Sequence, residues 1–278
     1  MKTEQFPRPD CGAADEIRKL AGAEGCAVGA DCDALAAVLN ALSDDSVRNE
    51  LRNEFVKLTG ASDCASLKGR RCGYYPRLAA ELLRKAGRRN DPSGKIRVLL
   101  LGDSIRGNYE NKVREELGDA YEVVAPEENC RFAKYALNEL SRWFEVCGEP
   151  DVIHWNIGLW DSAVVCEEDG MFTSPAEYLF YMSRILRELK KHCAHVIFAT
   201  TTPVRDGSLN QHIEFIDRLN AVIVPYMKAQ GVPINDLYAI VNRDKEGLLR
   251  GDCIHLSLKG IEVCGKAVAD AIRTELSK

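Results

Sequence analysis

The stretch that most constrains this chain is VLLLGDSIRGNY, Val98 to Tyr109, where an apolar run stops abruptly at Gly102-Asp103-Ser104. Four consecutive aliphatic residues, preceded by Ile96, describe a strand buried on both faces, and Gly-Asp-Ser is its carboxyl-terminal exit. In an open α/β sheet that exit is where ligands sit. A serine hydroxyl delivered there is a candidate nucleophile that needs a base from elsewhere, because a free hydroxyl reacts poorly at neutral pH. Asp103 is read as a structural acid that fixes the turn.

From this strand onward the pattern alternates. Strands are expected at Ile96 to Leu101, Tyr121 to Ala125, Val152 to Asn156, Val196 to Thr200 and Val232 to Asn235, with helices at about 108–117, 132–145, 175–192, 210–229 and 258–276. Such alternation implies an α/β fold, a three-layer α/β/α sandwich whose five-stranded parallel sheet has flavodoxin-like order. Residues 1–93 carry no strand-like run. Asp33 to Leu42, Ser46 to Leu58 and Pro76 to Ala86 space their apolar residues three or four apart, and Gly60 and Gly87 supply stops. They predict a small all-helical N-terminal cap or accessory domain, followed by a linker at Gly87 to Lys95 and the α/β domain over 94–278.

Composition narrows the function classes. A net charge of -5 gives no electrostatic footprint for nucleic acid, whose binders present basic surfaces. Eleven cysteines occur without a C-x-x-C pair, and Cys193, Cys253 and Cys264 sit in apolar patterns, as buried reduced thiols do. The N-terminus has acidic residues and prolines where a signal peptide needs an apolar core, and no uncharged run spans a bilayer. The expectation is a cytoplasmic protein with no nucleic-acid or membrane partner; its oligomeric state is left open.

The chain has five histidines. His154, His192, His195 and His212 fall in strand or helix patterns and read as core or surface residues. His255 differs, because it lies in GDCIHLSLKG, Gly251 to Gly260, three residues after Asp252 and just ahead of the last amphipathic helix. At that spacing the carboxylate can accept the proton of one ring nitrogen and leave the other as base.

Gly-Asp-Ser after the first strand, a glycine-containing turn after the third and Asp-Cys-Ile-His before the final helix resemble the SGNH (GDSL-like) hydrolases over about residues 95–278. That resemblance implies a serine esterase with Ser104, His255 and Asp252 as its triad and with no metal or organic cofactor. It also implies an oxyanion hole built from the serine N–H, a glycine N–H after the second strand and an asparagine side chain after the third. Two positions depart from the family pattern. APEENCRFAKYAL, Ala125 to Leu137, holds no glycine, so the donor falls to the backbone N–H of Cys130 or a neighbour. The third-strand turn reads Gly158-Leu159-Trp160-Asp161, with tryptophan in place of asparagine.

Asn156 lies two residues before that glycine, and this N-x-G-x-W turn resembles the one in polysaccharide O-acetyltransferases and some carbohydrate esterases of the wider superfamily. Asn156 is therefore the expected third donor, the other reading being an asparagine that caps a loop. Arg131 contacts either a substrate oxygen or an acidic neighbour. Trp160 is either a stacking platform for a sugar ring or a packed aromatic. Thr202, Pro203 and Arg205, after the fourth strand, either line the substrate site or are ordinary loop residues. The function expected is hydrolysis of short-chain acyl esters, acetyl first, on a carbohydrate or other polar small molecule. An O-acyltransferase using the same triad and a non-catalytic glycan-binding protein on a degenerate hydrolase fold are the alternatives.

Overall fold

The computed structural model describes residues 33–42, 45–62, 78–79, 82 and 94–278. The chain divides into two compact units, Met1–Pro92 and Ser93–Lys278. In the first, helices α1 (Asp33–Ala41) and α2 (Asp45–Thr59) bring Leu35, Val38 and Leu39 against Leu51 and Phe55. The three-and-four spacing seen in the sequence thus becomes one apolar face per helix. Of the third expected helix only residues 78, 79 and 82 are described; they are helical and buried in the same cluster, and its remaining residues lie outside the described set, as does the linker before Gly94.

The second unit runs β1 (Ile96–Gly102), α3 (Ser104–Leu117), β2 (Tyr121–Val124), α4 (Ala133–Cys147), β3 (Val152–Asn156), α5 (Pro175–His192), β4 (His195–Ala199), α6 (Ile213–Ala229), β5 (Ile234–Asn235), α7 (Leu237–Asn242), α8 (Lys245–Leu248) and α9 (Leu258–Leu276). Its sheet is entirely parallel, in the order β2-β1-β3-β4-β5. This is the flavodoxin-like order expected, and the chain reverses its direction of progress between β1 and β3, the switch point where doubly wound folds bind ligands. There Gly102 pairs with Asn156 at the carboxyl ends of the two strands.

Side chains alternate across the sheet, so β1 serves two cores at once. Leu99 and Leu101 join Ile153, Trp155, Trp143 and Ile185 under α4 and α5, while Val98 and Leu100 join Tyr109, Val113, Cys264 and Val268 under α3 and α9. Burial of both faces explains the unbroken aliphatic run of β1.

Helix α3 begins at Ser104, not near residue 108 as expected. Gly107 and Asn108 are weak helix formers and read as turn. Asp103 compensates as N-cap, its Oδ1 accepting from Ile105 N–H at 3.0 Å. Burial of Ile105, Tyr109, Val113 and Leu117, each four residues apart, then holds the helix to the sheet. The short helices α7 and α8 are additional to the expected elements, since neither is long enough to show a period in the sequence. Cys193 and Cys264 are buried as expected, and burial pushes both thiols up to about 12. Cys253 is a correction: it is half-buried in a turn with φ 68, outside the apolar core.

Candidate active site

Ser104 is the first residue of α3 and stands directly beyond the end of β1. Its Oγ lies 2.8 Å from His255 Nε2, and His255 Nδ1 lies 2.9 Å from Asp252 Oδ2. A carboxylate only accepts, so the ring hydrogen sits on Nδ1 and donates to Asp252. Nε2 is left with a lone pair facing the serine hydroxyl. The three groups expected from the sequence are thus joined in one hydrogen-bonded line. The other histidines are elsewhere: His154 in β3, His192 against Glu149, His195 against Glu275 and His212 at the start of α6.

The turn that carries Asp252 and His255 is shaped by its own backbone. Asp252 Oδ1 accepts from Ile254 N–H at 3.0 Å and His255 N–H at 2.9 Å, and Arg250 N–H donates to His255 O at 2.9 Å. Partial burial pushes the Asp252 carboxyl up, but the N–H groups of His255 and Ile254 and the imidazole outweigh it and hold the carboxyl at about 2. Asn108 reaches the same turn from α3, its Oδ1 accepting from Leu256 N–H at 3.0 Å. Ser104 and Asn108 are four residues apart and therefore share one helix face.

Beneath the serine lies a buried polar floor. Asp103 Oδ1 accepts from Asn156 Nδ2 at 3.2 Å, and Asn156 Oδ1 accepts from Tyr109 Oη at 2.7 Å. Burial pushes the Asp103 carboxyl up to about 6, against the lowering effect of its hydrogen bonds from Ile105 N–H and Asn156. Asn156 is only 3% exposed. Gly102 makes room for its carboxamide, since a Cβ there would collide with Asn156 Oδ1. Tyr109 meets His154 edge to face, ring centroids 6.1 Å apart, and Asn235 Nδ2 donates to His154 Nε2 at 3.1 Å. Burial holds the His154 imidazole down at about 3.

The loop after β2 departs from expectation. Cys130 N–H donates to Gly102 O at 3.0 Å, so it is not free to face an oxyanion, and Cys130 Sγ accepts from Gly102 N–H at 3.3 Å. Its neighbour Arg131 donates its N–H to Asn129 Oδ1 at 2.7 Å. Arg131 has φ 52, a left-handed conformation that suits glycine. The Arg131 side chain is exposed, with its guanidinium 4.6 Å over the Tyr135 ring. Arg106 ties the loop to α3, donating through Nη2 to Pro126 O at 3.1 Å and Glu128 O at 2.8 Å.

After β3, Gly158 takes φ 154, and a Cβ there would collide with Thr201 Oγ1. Trp160 is 42% exposed beside this turn, and Phe172 is exposed and packed edge-on against Phe132. Asp161 is buried, and its carboxylate accepts from Ala133 N–H at 3.0 Å. It thereby serves the start of α4, whose own N-cap, Phe132, has no side-chain acceptor. Burial pushes the Asp161 carboxyl up to about 7.

Two expected substrate contacts are corrected. Thr202 is 2% exposed and its hydroxyl is enclosed by protein, as is the neighbouring Pro203. Arg205 is held inside the fold, donating through Nη2 to Arg250 O at 2.7 Å and pairing through Nη1 with Glu246 at 2.5 Å. Sequence reasoning missed Arg106, Asn108 and Tyr109. The signal was present: once the helix is started at Ser104, these are its third, fifth and sixth residues, and they reach the loop after β2, the Asp252–His255 turn and Asn156 in that order.

No protein-family model matches this sequence, and no curated protein matches it. Solved structures do. A lipase/acylhydrolase from Enterococcus faecalis is similar with a TM-score of 0.57 at 18% identity, covering 64% of this chain and 96% of that one. A GDSL-like lipase from Bacteroides thetaiotaomicron VPI-5482 gives 0.53 at 17%, covering 69% and 96%, and TesA gives 0.52 at 16%, covering 64% and 99%. The fold is that of the SGNH (GDSL-like) lipases and acylhydrolases.

Proposed function

We propose that this protein is a serine ester hydrolase that cleaves short-chain acyl esters, acetyl first, from a carbohydrate or another polar alcohol. The observation that carries the reading is the continuous line from Ser104 Oγ through both ring nitrogens of His255 to Asp252 Oδ2. His255 Nε2 takes the hydroxyl proton as Ser104 Oγ bonds to the ester carbonyl carbon. Asp252 keeps the ring in the tautomer this requires and stabilises the imidazolium that forms.

The carbonyl oxygen becomes an oxyanion as that bond forms. The Ser104 N–H is its first donor, because the first N–H of a helix has no acceptor within the helix. Asn156 Nδ2 is the second; one of its hydrogens goes to Asp103 and the other is assigned to the oxyanion. A donor of this kind contributes roughly 3 kcal/mol to transition-state stabilisation. Collapse expels the alcohol, which takes the proton from His255. Water, deprotonated by the same nitrogen, then attacks the acyl-serine; the acyl–oxygen bond breaks, Ser104 Oγ takes the proton back from His255, and the acid leaves. The exposed Trp160 indole and the Arg131 guanidinium support a polar, ring-bearing alcohol over a long acyl chain.

The test is turnover of p-nitrophenyl acetate by the full chain and by Ser104→Ala. Turnover by the parent with loss in the variant supports the reading; equal turnover by both sinks it.

A further inference from the structure

Resting on that reading, we propose that Arg205 is a positioning residue of the reaction: it holds the Asp252–His255 turn at the height where His255 Nε2 reaches Ser104. The turn has an exposed acid at its tip, and its flanks, Leu249 and Leu256, are bridged to each other and buried in the core. Two side chains from other segments add to that anchorage. From α3, Asn108 Oδ1 accepts from Leu256 N–H at 3.0 Å. From the loop after β4, Arg205 makes a three-point contact with a segment more than forty residues away.

Arg205 N–H donates to Cys253 O at 2.9 Å, its Nη2 donates to Arg250 O at 2.7 Å, and its Nη1 pairs with Glu246 at 2.5 Å. Arg250 is the residue whose own N–H donates to His255 O at 2.9 Å. One guanidinium therefore fixes the base of the turn, and the base fixes the histidine backbone. The side chain is 18% exposed, so it is enclosed and not a surface cation awaiting a ligand. A planar fork of donors can hold a carbonyl and a carboxylate at once, which the single ammonium of lysine cannot do in the same geometry. Displacement of a reacting group by about 1 Å costs up to about a hundredfold in rate.

The test compares the full chain with Arg205→Lys and Arg205→Ala. It reads kcat and KM on p-nitrophenyl acetate, the rate of Ser104 phosphonylation by a fluorophosphonate probe, and Tm. The expected result is a fall of about ten- to hundredfold in both kcat and phosphonylation rate, with KM little changed and Tm well above the assay temperature. Arg205→Ala should recover part of its rate when guanidinium ion is added at millimolar concentration, which a purely stabilising role would not give. Unchanged phosphonylation in both variants overturns the inference while leaving the hydrolase reading intact, as does a loss of rate that follows only from partial unfolding. An inert parent chain overturns the reading and the inference together.

Discussion

Ser104 Oγ and His255 Nε2 lie 2.8 Å apart although 151 residues separate them in the chain. One stands at the start of α3 and the other just before α9, and these two helices pack side by side on the same face of the sheet. The contact is therefore a product of the fold's topology, and its chemistry depends on which ring nitrogen holds the hydrogen.

Asp252 fixes that choice, so Asp252→Asn should lower kcat/KM by about 10²- to 10⁴-fold through loss of the tautomer, as the corresponding change does in serine proteases. Because the carboxyl is held at about 2, it stays ionised at any pH where the protein is assayed. The sign follows: a depressed folded value contributes stability above the ordinary carboxylate range near 3.8, and that stability is lost only as pH falls toward about 2. Protonation of Asp252 is therefore not the cause of any activity lost on mild acidification. Profiles of kcat/KM and urea unfolding over the same pH range check this: activity lost near neutral pH should be lost where the Asp252 contribution to stability is still intact.

Asp103 behaves in the opposite sense. Burial raises it to about 6 from 3.8, so the folded state holds a proton that the unfolded state releases first. Stability should fall as pH rises from about 4 to about 6 and level off above that. Asp103→Asn keeps an acceptor for Ile105 N–H and removes this dependence. Relative to the parent, the variant should gain up to about 3 kcal/mol between acid and neutral pH, read by urea unfolding at each. Parallel curves for the two proteins would mean that the buried carboxyl does not titrate in this range.

The polar floor separates catalysis from support. Asn156→Ala should lower kcat by about 10²- to 10³-fold with KM little changed, as expected for a lost oxyanion donor. Tyr109→Phe removes the donor to Asn156 Oδ1 and should cost about 1–3 kcal/mol of stability, with a smaller loss of rate. Equal effects of both changes on kcat would assign Asn156 to the floor alone.

Trp160 is the test of the alcohol. Trp160→Ala should raise KM several-fold, about 1 kcal/mol, for an O-acetylated sugar while leaving kcat/KM on p-nitrophenyl acetate nearly unchanged, because only a bound ring would lose its stacking partner. An identical loss on both esters would make the indole a packing residue.

The architecture was legible where apolar pattern decides structure. The aliphatic run at Val98 to Leu101, the period of α5 and the DCIH turn before α9 each carried their position in their own residues. The site was legible at Ser104, Asp252 and His255, whose types and spacing state a chemistry. What stayed hidden depended on backbone groups finding partners. Nothing in APEENCRFAKYAL tells that Cys130 N–H bonds to Gly102 O, or that Arg131 adopts a glycine-like φ. The role of Arg205 stayed open in the sequence because its partners, Arg250 O and Glu246, lie more than forty residues further on. Thr202 lies in a loop, where residues are usually at the surface, yet it is buried, which no pattern in its own segment announces.

The central claim, that Ser104 is a nucleophile activated by His255, is tested most directly by mapping the site of fluorophosphonate labelling in the full chain by mass spectrometry. The account predicts one adduct per chain, on the peptide containing Ser104, absent in Ser104→Ala and strongly slowed in His255→Ala. An adduct on another residue, or labelling that proceeds at the parent rate in His255→Ala, would contradict it.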